Sequence, residues 1–335
     1  MTPIIVRTRE ELRAALSDVA PGLVPTMGAL HAGHLSLISR SVSENAKTVV
    51  SVFVNPIQFS NRDDLTRYPR DLGQDAALAE EAGADLVFAP DVETIYPSGF
   101  DTVVEVGTPS GRWEGASRPG HFRGVATVVT ILLNLVQPAR SYFGEKDYQQ
   151  LQVIRRLHQD LALPGAIVGC PTVRDDDGLA LSSRNVRLSP QDRVHARVLP
   201  RAIDAVVDAA ARGETEVRLL EATARAVLDV PGVATDYLAL VDGSTLEPVS
   251  DFRPGARLLI AVEVGGIRLI DNAAIEPPAP GTCHRRGSRA DWRKSAHALD
   301  HRRGGRQDEQ IRLARKRRHG GDRRASGRRT FRDHG

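Results

Sequence analysis

The stretch Thr48–Val54, TVVSVFV, constrains the fold more than any other part of this chain. It is uncharged, rich in β-branched residues and free of apolar–polar alternation. Those properties suit a strand buried on both faces of a parallel sheet. Around it, strand-like and helix-like segments alternate through the first 175 residues. Thr8 and Glu11 form a capping pattern ahead of a helix carrying Leu12, Ala15 and Leu16. Gly22–Val24 reads as a short strand, Pro25–Gly33 as a glycine-containing turn and His34–Ser43 as a helix. A helix over Leu72–Ala82 ends at Gly83, and Asp85–Ala89 is the next strand. Val103–Val106 is a candidate strand and Val125–Val136 a buried helix. Ser141–Phe143 leads through Gly144–Asp147 into a helix to about Leu161, and Ala166–Gly169 is a further strand. The alternation predicts a Rossmann-like, doubly wound parallel α/β sheet.

After Val173 the pattern changes. A polar loop, RDDDGLALSSRN, precedes two Ala- and Arg-rich helices at about 190–211 and 214–229. Asp236–Val241, Arg257–Val264 and Ile267–Ile270 are then strand-like and spaced for a small antiparallel sheet. The chain is accordingly divided into a nucleotide-binding domain over 1–173, a smaller α+β lid domain over 174–280 and an Arg-rich tail over 281–335. The net charge of +3 conceals a split, because the tail holds 18 Lys and Arg against 6 Asp and Glu. Residues 1–280 carry 27 basic and 36 acidic side chains, so the body is acidic. Five large apolar residues in the tail's 55 cannot offset the entropy of ordering it, and disorder is expected there. Its composition fits a solvated basic arm and equally an out-of-frame read of a GC-rich coding region. An acidic body with 4% aromatic residues argues against a nucleic-acid-binding protein and leaves that rival reading to the tail alone.

Two cysteines, Cys170 and Cys283, cannot build a disulfide framework, and the start MTPIIVRTREEL lacks the pattern of a signal peptide. The longest apolar stretch, Val125–Val136, is too short to span a bilayer. A cytoplasmic protein without a membrane segment is the expectation.

Chemistry concentrates in Pro25-Thr-Met-Gly-Ala-Leu-His31-Ala-Gly-His34. Two imidazoles three residues apart at the mouth of a helix face the same space, where backbone N–H groups and the helix dipole favour anions. Gly28 and Gly33 allow a phosphate chain to approach the backbone. A bare His-x-x-His also occurs incidentally in strand–turn–helix units, and a zinc site would need further ligands that the surrounding sequence does not supply. No Gly-Lys dipeptide occurs, so a Walker A loop is excluded, and no G-x-G-x-x-G follows a strand. Gly144-Glu-Lys146-Asp147 holds the same architectural position in a second βα unit, and a lysine there is notable in a chain with 4 Lys against 41 Arg. Ser182-Ser183-Arg184 offers two hydroxyls and a guanidinium for phosphate. Gln58 lies just past the end of the strongest strand, where open α/β sheets bind ligands, and Gln150 lies on the helix that Lys146 opens. Each of these alone is also what an ordinary solvent-facing polar segment carries.

Together, VPTMGALHAGHLSLI, VFVNPIQF, HFRGVATVV, FGEKDYQQL and PTVRDDDGLALSSRN, in this order and spacing, closely resemble the pantothenate synthetase (pantoate–β-alanine ligase) family over residues 1 to 276. That family belongs to the nucleotidylyltransferase superfamily of the class I aminoacyl-tRNA synthetases. The resemblance implies ATP-dependent condensation of (R)-pantoate with β-alanine through a pantoyl adenylate, with Mg²⁺ as cofactor and a homodimeric assembly. It places ATP on Met27, Gly28, Ala29, Leu30, His31, Ala32, Gly33 and His34, on Gly144, Glu145, Lys146 and Asp147, on Val173, and on Leu181, Ser182, Ser183 and Arg184. Pantoate falls on Gln58 and Gln150, β-alanine near Gln58, and the proton-donor role on His34; the catalytic set is His31, His34 and Lys146. His121 and Arg123 match a motif lining the family's cavity, and Asn55 its strand-end asparagine. Two departures stand out. Leu181 replaces the methionine common in this clamp, a near-isosteric swap. The acidic positions before Leu78 thin to Gly73-Gln74-Asp75, so the metal ligands stay unassigned. Another enzyme of the same superfamily is the nearest alternative.

A chain ending at Pro280 is expected to match the full chain in unfolding temperature and turnover. A stability loss above ~2 kcal/mol, the scale of truncating a buried side chain, would show that the tail docks on the body.

Overall fold

Residues 2–16, 19–59 and 61–277 are described by the structure, a computed structural model, and the expected disorder of 281–335 lies outside them. The strands in chain order are β1 (Ile4–Val6), β2 (Gly22–Thr26), β3 (Thr48–Val52), β4 (Leu86–Phe88), β5 (Arg140–Gly144), β6 (Ala166–Cys170), β7 (Val233–Asp242), β8 (Ala256–Val264) and β9 (Ile267–Ile275). The first five helices are α1 (Arg9–Ala15), α2 (Ala32–Glu44), α3 (Arg62–Arg67), α4 (Leu72–Glu81) and α5 (Val92–Ile95). They are followed by α6 (Glu114–Ser117), α7 (His121–Val136), α8 (Tyr148–Asp160), α9 (Pro190–Ala196), α10 (Val198–Ala211) and α11 (Val217–Leu228).

The first sheet is all parallel in the order β1-β4-β3-β2-β5-β6. Both of its faces are covered, as the uncharged β3 run requires. Leu23, Val49, Leu86 and Phe88 pack with α7 and α8 on one face, while Val24, Val50 and Val87 pack with α2 and α4 on the other. The chain order reverses at β2, whose neighbours are β3 and β5. The βα turns leaving β2 and β5 therefore diverge to opposite faces and open a crevice at the carboxyl ends of the strands.

The remaining strands form an antiparallel sheet, β7-β8-β9, backed by α10 and α11 through Leu220, Leu258, Ile260 and Val262. Gly265 (φ 57°) and Gly266 (φ 74°) supply the two left-handed positions of the tight β8–β9 turn. The second sheet is fixed to the first. Asn272 of β9 donates to the carbonyls of both Glu145 (3.0 Å) and Lys146 (2.8 Å). Arg257 of β8 donates to Asn272 Oδ1 (2.6 Å) and stacks 3.6 Å over the Tyr148 ring.

Several boundaries differ from the sequence reading. The short edge strand β1 is absent from the sequence reading although Ile4, Ile5 and Val6 are all β-branched, and Val103–Val106 is irregular chain outside any strand. The segment 190–211 is two helices broken at Arg197, and α7 begins at His121, four residues before its apolar run. No described helix is long and apolar enough to cross a membrane.

Helix α7 sets the position of Gln58. A Cβ built on Gly124 would stand 2.6 Å from both Gln58 Cα and Ile57 O, backbone atoms that cannot swing aside. Gly124→Ala is expected to cost ~1–3 kcal/mol in urea unfolding, the range for overpacking. An unchanged midpoint would mean that the Pro56–Gln58 turn is not held against α7.

Candidate functional site

A cleft of about 1430 Å³, including its open mouth, occupies the crevice between the β2 and β5 ends. Its walls bring together Met27, His31, Gly33, His34, Gln58, Gly144, Lys146, Asp147, Gln150, Val173, Leu181, Ser182, Ser183 and Arg184, from segments spread over 158 positions of sequence. Gly28, Ala29, Leu30, Ala32 and Glu145 do not line it.

The β2 turn explains the exclusion. Gly28 (φ 82°) and Ala29 (φ 51°) adopt left-handed backbone, a conformation that costs a non-glycine residue ~1–2 kcal/mol. The N–H of Gly28 is taken by Thr26 Oγ1 (3.1 Å), that of Ala29 by Asp75 Oδ2 (3.1 Å) and that of Leu30 by Asp75 Oδ1 (2.8 Å). These amides are committed within the protein. His31 caps α2, its Nδ1 accepting from the Gly33 N–H (3.1 Å), so in the neutral ring the hydrogen sits on Nε2. The His34 ring lies 4.1 Å from that of His31, centroid to centroid, and its Nδ1 is buried without a partner. A lone pair is the cheaper orphan, which places His34's hydrogen on Nε2 as well. Burial, followed by His31, pushes the His34 pKa down to about 3. Burial and the nearby Lys146 also lower His31. The motif therefore presents two neutral N–H donors.

Positive charge comes from the opposite wall. Lys146, 3.5 Å from Asp147 Oδ1, opens the turn after β5, and its loop is held from beneath by Asn272. Arg184 enters from the polar loop, where Asp64 of α3 pairs with it at 3.4 Å and with Arg187 at 3.3 Å. At the apolar end, Gln58 receives the Asn55 Nδ2–H on Oε1 (2.8 Å), and Asn55 in turn accepts from Tyr96 (2.7 Å) and donates to Gly124 O (3.1 Å). Gln150 lines the cleft, as do Val125, Val129, Leu132 and Phe143.

His121 reaches the cleft, whereas Arg123 is exposed on the outer side of α7 and does not line it, a correction to the sequence reading. Position 123 shares a helix face with Thr130 and Asn134, which are half-buried and exposed. Arg118 takes the wall position instead, donating to His121 Nε2 at 3.1 Å while His121 Nδ1–H donates to Gln58 O at 3.0 Å. Asp75, Arg118 and Tyr68 were missed from sequence. Each lies on a segment without a chemical motif, and only Asp75 left a trace, as the surviving acid of a thinned acidic run.

Among the described residues, no group of three His, Cys, Asp or Glu is placed to hold a metal ion, and Asp75 has both oxygens committed to amides.

Comparison with known proteins follows the same residues. The family model described as pantoate-beta-alanine ligase matches residues 4–274. Pantothenate synthetase of Thermus thermophilus is 55% identical over 273 residues, covering 81% of this chain and 99% of that protein. That of Rhizorhabdus wittichii is 51% identical over 278 residues, covering 82% and 99%. A crystal structure of the Thermus thermophilus enzyme superposes with a TM-score of 0.80 at 54% identity, covering 82% of this chain and 100% of the other. The pantoate-beta-alanine ligase of Francisella tularensis, complexed with beta-gamma ATP and beta-alanine, gives 0.67 at 34% identity, covering 81% and 97%.

Burial also depresses His121, to about 4. Both rings lie below the ordinary imidazole pKa of 6.5, so the unfolded chain binds protons that the folded chain excludes. Stability should be undiminished above pH 6.5 and fall on acidification through the window down to about 4 and then about 3. Imidazole NMR should show neither ring titrating above about pH 5. A midpoint near 6.5 for either would refute its neutral assignment.

Proposed function

The chain belongs to the pantoate–β-alanine ligase family, and we propose that its β2–β5 cleft carries out the ATP-dependent condensation of (R)-pantoate with β-alanine through a pantoyl adenylate. The observation that carries the residue assignment is the meeting of the His31/His34 turn and the Lys146 loop across the point where the strand order reverses. A triphosphate laid across it would meet neutral donors on one side and cations on the other.

In the first step the pantoate carboxylate attacks the α-phosphorus and pyrophosphate leaves. We assign the developing charge to Lys146, Arg184, Ser182 and Ser183, together with the Nε2–H groups of His31 and His34. His34 is a hydrogen-bond donor in this scheme, since its depressed pKa leaves it no proton to release near neutrality. ATP is further assigned to Met27–His34, Gly144–Asp147, Val173 and Leu181, where Gly28–Leu30 contribute shape and their amides do not take part. Gln58 and Gln150 hold pantoate at the apolar end, and the amine of β-alanine enters near Gln58. In the second step that neutral amine attacks the acyl carbon and AMP departs, a far better leaving group than hydroxide. Enclosure matters between the steps, because water competes for the mixed anhydride. Magnesium is assigned to ATP as its accompanying cation, and no protein ligand is assigned to it. The division at 173/174 and a cytoplasmic homodimer complete the proposal and rest on the sequence pattern and the resemblance.

Incubation with ATP, Mg²⁺, pantoate and β-alanine should yield AMP and an amide only when all are present, whereas a dinucleotide product would transfer the chain to another branch of the superfamily. His34→Ala and Lys146→Ala should each slow pantoate-dependent adenylation ~100-fold with the circular dichroism unchanged. Wild-type single-turnover rates in either would remove that residue from the mechanism.

A further inference from the structure

We propose that Asp75 is a positioning residue for adenylation, its carboxylate holding the left-handed β2 turn that sets the His31 and His34 rings. The inference rests on the site assignment above and adds to it a residue that touches no substrate. Asp75 is 2% exposed and lies in the first turn of α4, its N–H bonded to the Asp71 carbonyl at 2.9 Å. Each of its oxygens accepts one backbone N–H, Oδ2 from Ala29 and Oδ1 from Leu30. The helix N-terminus and those two amides are the compensation for a buried negative charge.

The chemistry calls for a carboxylate in particular. Both partners are donors, and each faces a different oxygen. An asparagine would have to turn its NH2 towards one N–H, so a change of a single atom breaks one of the two bonds. The contact is also close. A Cβ on Gly28 would come within 2.7 Å of Asp75 Oδ2 and 3.1 Å of Val52 Cγ1, so the turn can seat itself on Asp75 only with glycine at 28. Leu30 and His31 follow directly, and His31 Nδ1 then takes the Gly33 N–H that fixes its ring. A turn freed from Asp75 would still leave two cations and two serines in the cleft, but its imidazoles would lose their register.

The test uses the full chain and measures pantoate-dependent ATP–pyrophosphate exchange in Asp75→Asn. Misplacement of catalytic donors by about 1 Å costs on the order of 100-fold, so kcat should fall ~30–100-fold. The KM for pantoate, whose contacts lie on other elements, should stay within about threefold. The His31 and His34 imidazole resonances should shift while that of His121 does not. If Asp75→Asn fails to fold, Gly28→Ala attacks the same contact from the turn's side and carries the same readouts. Where both fold, the double variant should be no worse than the poorer single one. Wild-type exchange, equal losses in kcat and pantoate affinity, or additive defects would each overturn the proposal. His34→Ala run alongside separates the two readings. If it exchanges normally the site assignment fails, and if it is dead while Asp75→Asn is not, only the role of Asp75 fails.

Discussion

Everything at the site depends on β2 pairing in parallel with β3 on one side and β5 on the other. A right-handed crossover from either neighbour carries the following helix to opposite faces, so the two turns cannot cover each other. The gap between them is where an extended polyanion can lie against two helix starts. The buried β-branched strands make this gap permanent, because their side chains are locked on both faces and the register cannot slip by one residue without exposing a whole layer.

The electrostatics of the cleft are asymmetric. One wall offers imidazoles kept neutral by burial, the other a lysine and an arginine already partnered by Asp147 and Asp64. Neutral donors bind phosphate more weakly than cations do, yet they add no fixed charge that would have to be desolvated alongside the first. At the apolar end, polarity is confined to amides, and Asn55, Tyr96 and the Gly124 carbonyl orient Gln58 without placing a formal charge beside the nucleophile. Arg118 and His121 form the border between these regions.

The parallel sheet was legible because its signals are local: a β-branched run, glycine turns and capping residues. The His turn, the Lys146 loop and the serine–arginine loop were legible because their residue types are unusual at those positions. What escaped was set by neighbours. β1 has three residues, two of them exposed, and exists only because β4 offers it an edge. Val103–Val106 is also rich in β-branched residues but lies outside any strand. Asp75 lies 46 positions from the Ala29 amide it binds, and no periodicity reports a contact at that range. Arg123 sits inside the HFRGV motif that the resemblance places at the cavity, although the helix turns it outward.

The grip of β9 on the Lys146 loop has a kinematic consequence. One Asn272 amide donates to two loop carbonyls, so rotating the second sheet away as a block would break both bonds at once, at ~0.5–1.5 kcal/mol each. The second sheet is thus tied to the first at the Lys146 loop. The strip from Leu181 to Arg187 is held differently, by the salt bridges of Asp64 to Arg184 and Arg187, partly exposed pairs of the kind that contribute little.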